Sequence, residues 1–375
     1  MRNSVFLAVG RGVLCVLAAL TLSAAGYPAA PPSPAGADGE PRAAAEERSR
    51  IPFTRRFDAV QHGGIVRAAN AAVGCRAEGP GADPACAAAR DGGNAAGRQF
   101  DMGYADVDDD PRTYNSTRAE LRLPDRARVN YARLYWGANL RVGEQKPPAD
   151  SGRVLFAEPG GQYKEVLADT PIGHRAGGGA DAFQASADVT ALVRDSGPGM
   201  YTVAQINVAM GRSAVGAWGG WTLVVAYKKD DAPLRRLSVW DGFEALDARH
   251  REVGVDLGGP RVAARAGGRL GVVAYNGARG VKGDALAVET GNGKGVLLGN
   301  KDNPSDDVMN SSITDFDSGP IKRRPAYLNT LGYDSDVFDL RGALASGADR
   351  LSVRISTEKN PLWIGVLFAE ADVRY

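Results

Sequence analysis

Glycine interrupts this chain too often for long helices to form. Forty-eight of its 375 residues are glycine, many of them paired or tripled as in Gly177-Gly178-Gly179. Glycine takes the backbone conformations that tight turns demand and weakens a helix interior. Between the glycines run short apolar or alternating segments, at 119–123, 129–136, 154–156, 201–208, 221–227, 237–240, 270–275, 351–355 and 363–369, bounded by Gly, Pro, Asp or Asn. That pattern predicts strands joined by turns. Only two single helical turns are expected. They begin at Asp188 and at Asp336 or Asp339, where an aspartate can accept from the free backbone N–H groups of a first turn. The expected fold class is all-β.

The strand rhythm occurs twice. In the first half 131–140 is followed by 153–156, Asp188 with its turn, Gly199, 201–203, a glycine-rich loop and 221–225. In the second half the order is 270–277, 284–288, Asp336 with its turn, Gly347, 351–353 and 363–367. An internal duplication giving two β-sandwich, jelly-roll-like domains accounts for this order; the rival reading is that any two β domains share such a rhythm. The seam falls in the polar stretch 228–234. The expected domains are 53–231 and 232–375.

The N-terminus predicts export. Arg2 and Arg11 precede an apolar run at 13–22 and the small residues Ser23-Ala24-Ala25-Gly26, the order of a cleavable secretory signal over 1–25. A membrane anchor needs about 20 apolar residues, and this run is shorter before Pro28, Pro31, Pro32 and Pro34. Cys15 raises the alternative of a lipidated N-terminus, but Leu14 stands where a small residue is required. Residues 26–52, rich in Pro, Ala, Gly and charge, read as a disordered tether. No membrane span is expected after cleavage. A secreted or loosely surface-associated protein follows.

Once the signal is removed, Cys75 and Cys86 are the remaining cysteines. In an exported chain they most simply form a disulfide across a Gly/Pro-rich loop. A metal site would need further soft ligands, of which His62 is the nearest. The formal net charge of +1 gives no electrostatic preference for nucleic acid, and no basic stripe changes that.

Catalytic signals are sparse. His62, His174 and His250 sit in Gly-rich or charged surroundings that suggest exposed loops, and no nucleophile elbow, zinc-protease helix or phosphate-cradling loop occurs. A non-enzymatic protein is therefore expected. Asp106-Val107-Asp108-Asp109-Asp110 is the best local signal: Asp106, Asp108 and Asp110 are candidate Ca²⁺ ligands on a turning loop. Pro111 and Thr117 replace the turning Gly and closing Glu of an EF-hand, and the rival reading is a solvated acidic turn. Ca²⁺ is the only cofactor suggested. Asp334, Asp336 and Asp339 read as turn and cap residues, with Ca²⁺ as the alternative. Trp218, before Gly219-Gly220, is the tryptophan expected to be exposed, placed to stack on a sugar ring; core packing explains at least three of the five.

Several stretches together resemble a known family. They are Phe100-Asp101-Met102 through Asp106-Val107-Asp108, Tyr114-Asn115-Ser116, Ala132-Arg133-Leu134-Tyr135-Trp136-Gly137, Ala187 to Val193, Gly220 to Tyr227 and Val239-Trp240-Asp241-Gly242-Phe243, continuing through Asn310-Ser311-Ser312-Ile313 and Leu331 to Asp336. They are similar to the N-terminal domain, of unassigned function, of large secreted bacterial surface proteins that carry downstream immunoglobulin-like repeats. The resemblance covers about residues 57–375, and Cys75 and Cys86 stand where that family places a cysteine pair. It implies a surface location and an adhesive or structural role, and it supplies no catalytic residue. No sorting motif or repeat follows in this chain, which puts covalent wall attachment in doubt. The expected function is a secreted non-enzymatic cell-surface or extracellular β-sandwich protein with a binding, adhesive or structural role, its partner a cell-wall or extracellular glycan or protein. The alternative is a carbohydrate-binding module or carbohydrate-active enzyme.

Overall fold

The computed structural model describes residues 45–373 apart from 80, 81, 109, 259–261, 263, 292–294, 318 and 320. The expected signal at 1–25 and most of the expected tether lie outside the described residues. The tether's described end is structured. Glu47–Arg48 pairs in parallel with Ile172 and Gly173, and a 21-residue strand begins at Ile51.

Eight strands make a first jelly roll: β1 (Ile51–Ala71), β2 (Ser116–Leu121), β3 (Arg128–Asn139), β4 (Arg153–Ala157), β5 (Lys164–Leu167), β6 (Ala180–Asp188), β7 (Gly199–Ala204) and β8 (Gly219–Lys228). A second follows: β9 (Leu234–Leu246), β10 (Glu252–Asp256), β11 (Gly268–Tyr275), β12 (Asp284–Glu289), β13 (Val296–Leu297), β14 (Tyr333–Asp339), β15 (Ser352–Thr357) and β16 (Leu362–Asp372). In the first, β6-β3-β8-β1 form an inner sheet and β2-β7-β4-β5 an outer one; in the second, β14-β11-β16-β9 and β10-β15-β12-β13 repeat the arrangement. Strands β9 to β16 thus take the places of β1 to β8 in order, so the strand order that recurs in the sequence recurs in the sheets.

The two inner sheets are continuous. Residues 63–71 of β1 pair with β8, while 51–62 pair with β9 of the second jelly roll, so one ten-stranded sheet runs through both. Its two halves also face each other. On β8, Trp221, Leu223 and Val225 point into the first sandwich, whereas Val224 and Ala226 join Val273, Tyr275, Tyr333 and Phe368 of the second in a separate core. On β11, Leu270, Val272 and Ala274 fill the second sandwich. The result is four layers, with the inner sheets packed back to back between the outer ones. Strands buried on both faces read as continuous apolar runs, which is why 221–227 and 363–369 stood out in the sequence.

This contact requires a close approach at Gly365. It is the unpaired residue of a bulge, since Ile364 and Val366 pair with Ala274 and Val273 while Gly365 has no partner. A side chain there would meet Gln184 Oε1 at 1.6 Å. Gln184, on β6, reaches across the interface and donates to Gly242 O at 3.0 Å and Gly365 O at 3.1 Å, and Tyr275 donates to its Oε1 at 3.0 Å.

The helices exceed the expected single turns. α1 (Pro84–Arg90) and α2 (Thr190–Ser196) each have seven residues, nearly two turns. Asp188 does accept from Thr190 N, at 2.8 Å. The second expected helical turn is a run of tight turns after Asp339, which accepts from Arg341 N at 2.9 Å.

Candidate functional site

The outer face of the first jelly roll carries a cleft. Strand alternation sends Ala119, Leu121, Tyr201, Val203, Val154 and Phe156 into the core, so Arg118, Met200, Thr202, Leu155 and Ala157 face outward. Pairing aligns them, with Arg118 opposite Thr202 and Thr202 opposite Ala157. These five residues form the floor of a cleft of about 740 Å³. One wall is the turn containing Asp108, Asp110, Arg112 and Thr113, and the other is the β4–β5 loop with Glu158, Gly160, Gly161, Gln162 and Tyr163. Tyr163 donates from its phenol to Asp108 Oδ2, joining the two walls.

The acidic turn is held by donors from the protein. Asp106 Oδ1 accepts from Ser116 Oγ at 2.6 Å. Asp108 Oδ1 accepts from Asp110 N and from Thr113 Oγ1, both at 3.0 Å. Asp110 receives Arg112 Nη2 at 2.7 Å and Arg112 Nε at 3.0 Å. Burial works against the Asp108 charge, but the donations from Tyr163, Asp110 N and Thr113 outweigh it and hold its carboxyl below the ordinary range. Arg112 pulls Asp110 down to about 2. Burial and the neighbouring carboxylate push the Tyr163 phenol up. Among the described residues no three His, Cys, Asp or Glu side chains converge on a metal-sized site. Calcium at Asp106, Asp108 and Asp110 would have to displace the Tyr163 and Arg112 contacts.

The expectation for Trp218 is corrected. It is 1% exposed, lying between the two inner sheets with its ring 5.1 Å from Trp363 and 5.8 Å from Tyr275. The glycines after it open the strand β8, and the indole turns inward with the apolar residues of that strand. It cannot stack on a sugar in solvent.

Cys75 and Cys86 are joined in a disulfide with 5.8 Å between their Cα atoms, tying the strand Val73–Cys75 to α1. Asp83 caps α1 by accepting from Ala85 N at 2.8 Å, and Arg90 donates to Cys75 O.

Asp334 and Asp336 are not turn residues. They lie within β14, both 0% exposed, on the strand face opposite Tyr333, Ser335 and Val337. Asp336 Oδ1 accepts from Ser312 Oγ, Thr314 N and Thr314 Oγ1 at 2.9, 2.8 and 2.7 Å. Asp334 Oδ1 accepts from Ser312 N at 3.1 Å. Nearby, Asp284 Oδ1 accepts from Val308 N at 2.6 Å and Met309 N at 2.9 Å. Burial pushes Asp336 up to about 6 and Asp284 up to about 7. These carboxylates brace the long connection before β14. Of Asp334, Asp336 and Asp339, only Asp339 serves a turn.

The histidines have structural partners. His62 bonds Ala232 O at 2.7 Å and His250 bonds Ala245 O at 3.3 Å. His174 sits on the strand Ile172–Gly177 rather than in a loop, between Glu47 at 2.8 Å and Asp181 at 2.7 Å. Burial opposes its charge, and the two carboxylates more than compensate, holding its pKa above the ordinary value.

Sequence reasoning reached one wall of the cleft, at Asp108 and Asp110. It missed the floor and the opposite wall, above all Arg118 and Tyr163. A charged residue on the solvent face of an alternating strand is ordinary, and the pairing of β2, β7 and β4 that makes Arg118 part of a site is non-local.

Among the described residues no helix is long and apolar enough to cross a membrane. No protein-family model and no curated protein sequence matches this chain. Among solved structures it is similar to the major capsid protein P2 from bacteriophage PM2, at 11% identity over 71% of this chain and 95% of that one, with a TM-score of 0.21. It is also similar to a structure of Sulfolobus Turreted Icosahedral Virus, at 9% identity over 84% of this chain and 92% of that one, with a TM-score of 0.20.

Proposed function

We propose that this chain is an exported, non-enzymatic binding protein that works outside the cell, with the outer face of its first jelly roll as the contact surface. The cleft carries this reading. It has the size of a ligand site, ordinarily about 300–1,000 Å³, and its floor is fixed by paired strands rather than by loops. Export is supported by the order of residues at the N-terminus and by a disulfide of the kind that persists in oxidising compartments. The resemblance to N-terminal domains of bacterial surface proteins points the same way. A binding role is favoured over catalysis because Asp108, Asp110 and Glu158 at the cleft are each engaged by a neighbouring donor.

The test is co-sedimentation of the purified chain with isolated bacterial cell envelopes. Wild type is expected in the pellet. Met200→Trp, which fills the cleft floor from the solvent side, is expected in the supernatant. Equal pelleting of both, or neither, contradicts the assignment to this face. Release of soluble reducing sugar during incubation would favour the enzymatic alternative.

A further inference from the structure

The charges around the cleft do not cancel evenly. Asp110 is paired with Arg112 at 2.7 Å, and Glu158 with Lys164 at 2.6 Å. Asp108 is satisfied by Tyr163, Thr113 and the Asp110 backbone. Arg118 on the floor differs. It makes no hydrogen bond or ion pair through its guanidinium among the described residues, and its Nε is buried without a partner. Its terminal nitrogens are not buried and stay open to a ligand on the cleft floor, and a planar guanidinium matches an oxyanion through two parallel hydrogen bonds. The cleft is far larger than a lone anion needs. Leu155, Ala157 and Met200 give its floor an apolar strip next to the polar groups.

We propose that the cleft binds an anionic glycan, with the carboxylate of an acidic sugar on Arg118. Carbon–hydrogen faces of the flanking sugars lie on Leu155, Ala157 and Met200, and their hydroxyls donate to the carboxylate oxygens of the walls. This deepens the function proposed above and rests on it. The wall carboxylates favour a glycan over an acidic peptide. They accept from hydroxyls, but they would stand as like charges against a run of acidic side chains. For the same reason the acidic sugar is expected to alternate with neutral ones.

The test is calorimetric titration of the whole chain with a tetrasaccharide of alternating glucuronate and N-acetylglucosamine. Its carboxyl-reduced form, a glycerol phosphate oligomer and a glutamate oligopeptide serve as comparisons. Wild type is expected to bind the tetrasaccharide. Arg118→Ala should weaken it at least tenfold, with Arg118→Lys between the two. Reducing the carboxyl should weaken wild-type binding by a similar factor and leave Arg118→Ala unaffected, because the pairing is already gone. Circular dichroism and melting of each variant separate lost binding from lost fold. Tighter binding of the phosphate oligomer or the peptide, or equal affinity of wild type and Arg118→Ala, overturns the assignment. If no anionic glycan binds while wild type still pellets with envelopes and Met200→Trp does not, the ligand class is wrong and the site stands. If pelleting also ignores Met200→Trp, both fall.

Discussion

Replacing Gly365 with alanine tests the packing that joins the two jelly rolls. The added carbon would stand 1.6 Å from Gln184 Oε1 and 2.5 Å from its Cδ, far inside van der Waals contact, so the amide must retreat. Gln184 is 6% exposed, and retreat breaks its bonds to Gly242 O, Gly365 O and the Tyr275 hydroxyl. At about 1 kcal/mol for each bond, with roughly 1–3 kcal/mol for overpacking, Gly365→Ala should destabilise by about 4–6 kcal/mol. Gln184→Ala alone should cost about 3 kcal/mol from the same lost bonds. In the double variant the clash disappears and those bonds are lost only once. It should therefore be more stable than the sum of the single effects predicts, by at least about 2 kcal/mol. Urea denaturation followed by fluorescence and circular dichroism measures all four chains. A cost below about 0.5 kcal/mol for Gly365→Ala, or additive effects in the double variant, would refute back-to-back packing of the inner sheets at this point.

Three further outcomes follow from the same structure. The raised pKa of Asp284, about 7 against an ordinary 3.8, means that the folded state binds its proton more tightly. Stability from this group is present below pH about 4 and is lost as pH rises toward 8, by at most on the order of 4 kcal/mol. Asp284→Asn, which keeps an oxygen for Val308 N and Met309 N, should flatten that decline, and an unchanged slope would locate it elsewhere. Breaking the Cys75–Cys86 bridge by Cys→Ser at both positions should lower stability by about 2–4 kcal/mol, and mass spectrometry of the non-reduced wild type should show the crosslinked peptide rather than two alkylatable thiols. Calcium binding through Asp106, Asp108 and Asp110 would stabilise the fold by about 2.7 kcal/mol at 100 times the dissociation constant. The melting temperature would then rise in wild type and not in Asp108→Ala; equal shifts leave the turn to Arg112 and Tyr163.

The class of fold was legible because turns and doubly buried strands leave local marks. Runs such as Trp221 to Tyr227 and Leu270 to Tyr275 announced themselves, and their repeated order announced the second jelly roll. The strand Ile51–Ala71 did not. Its first part carries Arg55, Arg56 and Asp58, of which Arg56 pairs with Asp241 at 2.6 Å, and its second part is filled with small residues such as Ala68, Ala69 and Ala71 that read as weakly apolar. What makes it a strand is its pairing with β8 and β9, which flank the polar stretch 228–234. Trp218 was misplaced for a related reason. A tryptophan next to two glycines looks like a loop residue until a second sheet is known to cover it. Asp334 and Asp336 were likewise assigned from their type, whereas the fold buries them where Ser312 donates to Oδ1 of both and Thr314 to Oδ1 of Asp336. The acidic turn was visible because it is local. Arg118, on the floor beside it, became part of a site only through strand pairing.

The central claim, that the first jelly roll's outer face is the binding surface, is tested most directly by amide hydrogen exchange with and without solubilised envelope material. Protection is expected to concentrate at 106–113, 155–163 and 200–202, with the outer sheet of the second jelly roll, at 252–256 and 352–357, unchanged. Protection confined to the second outer sheet, or no change at 155–163 and 200–202 while the protein is bound, would contradict it.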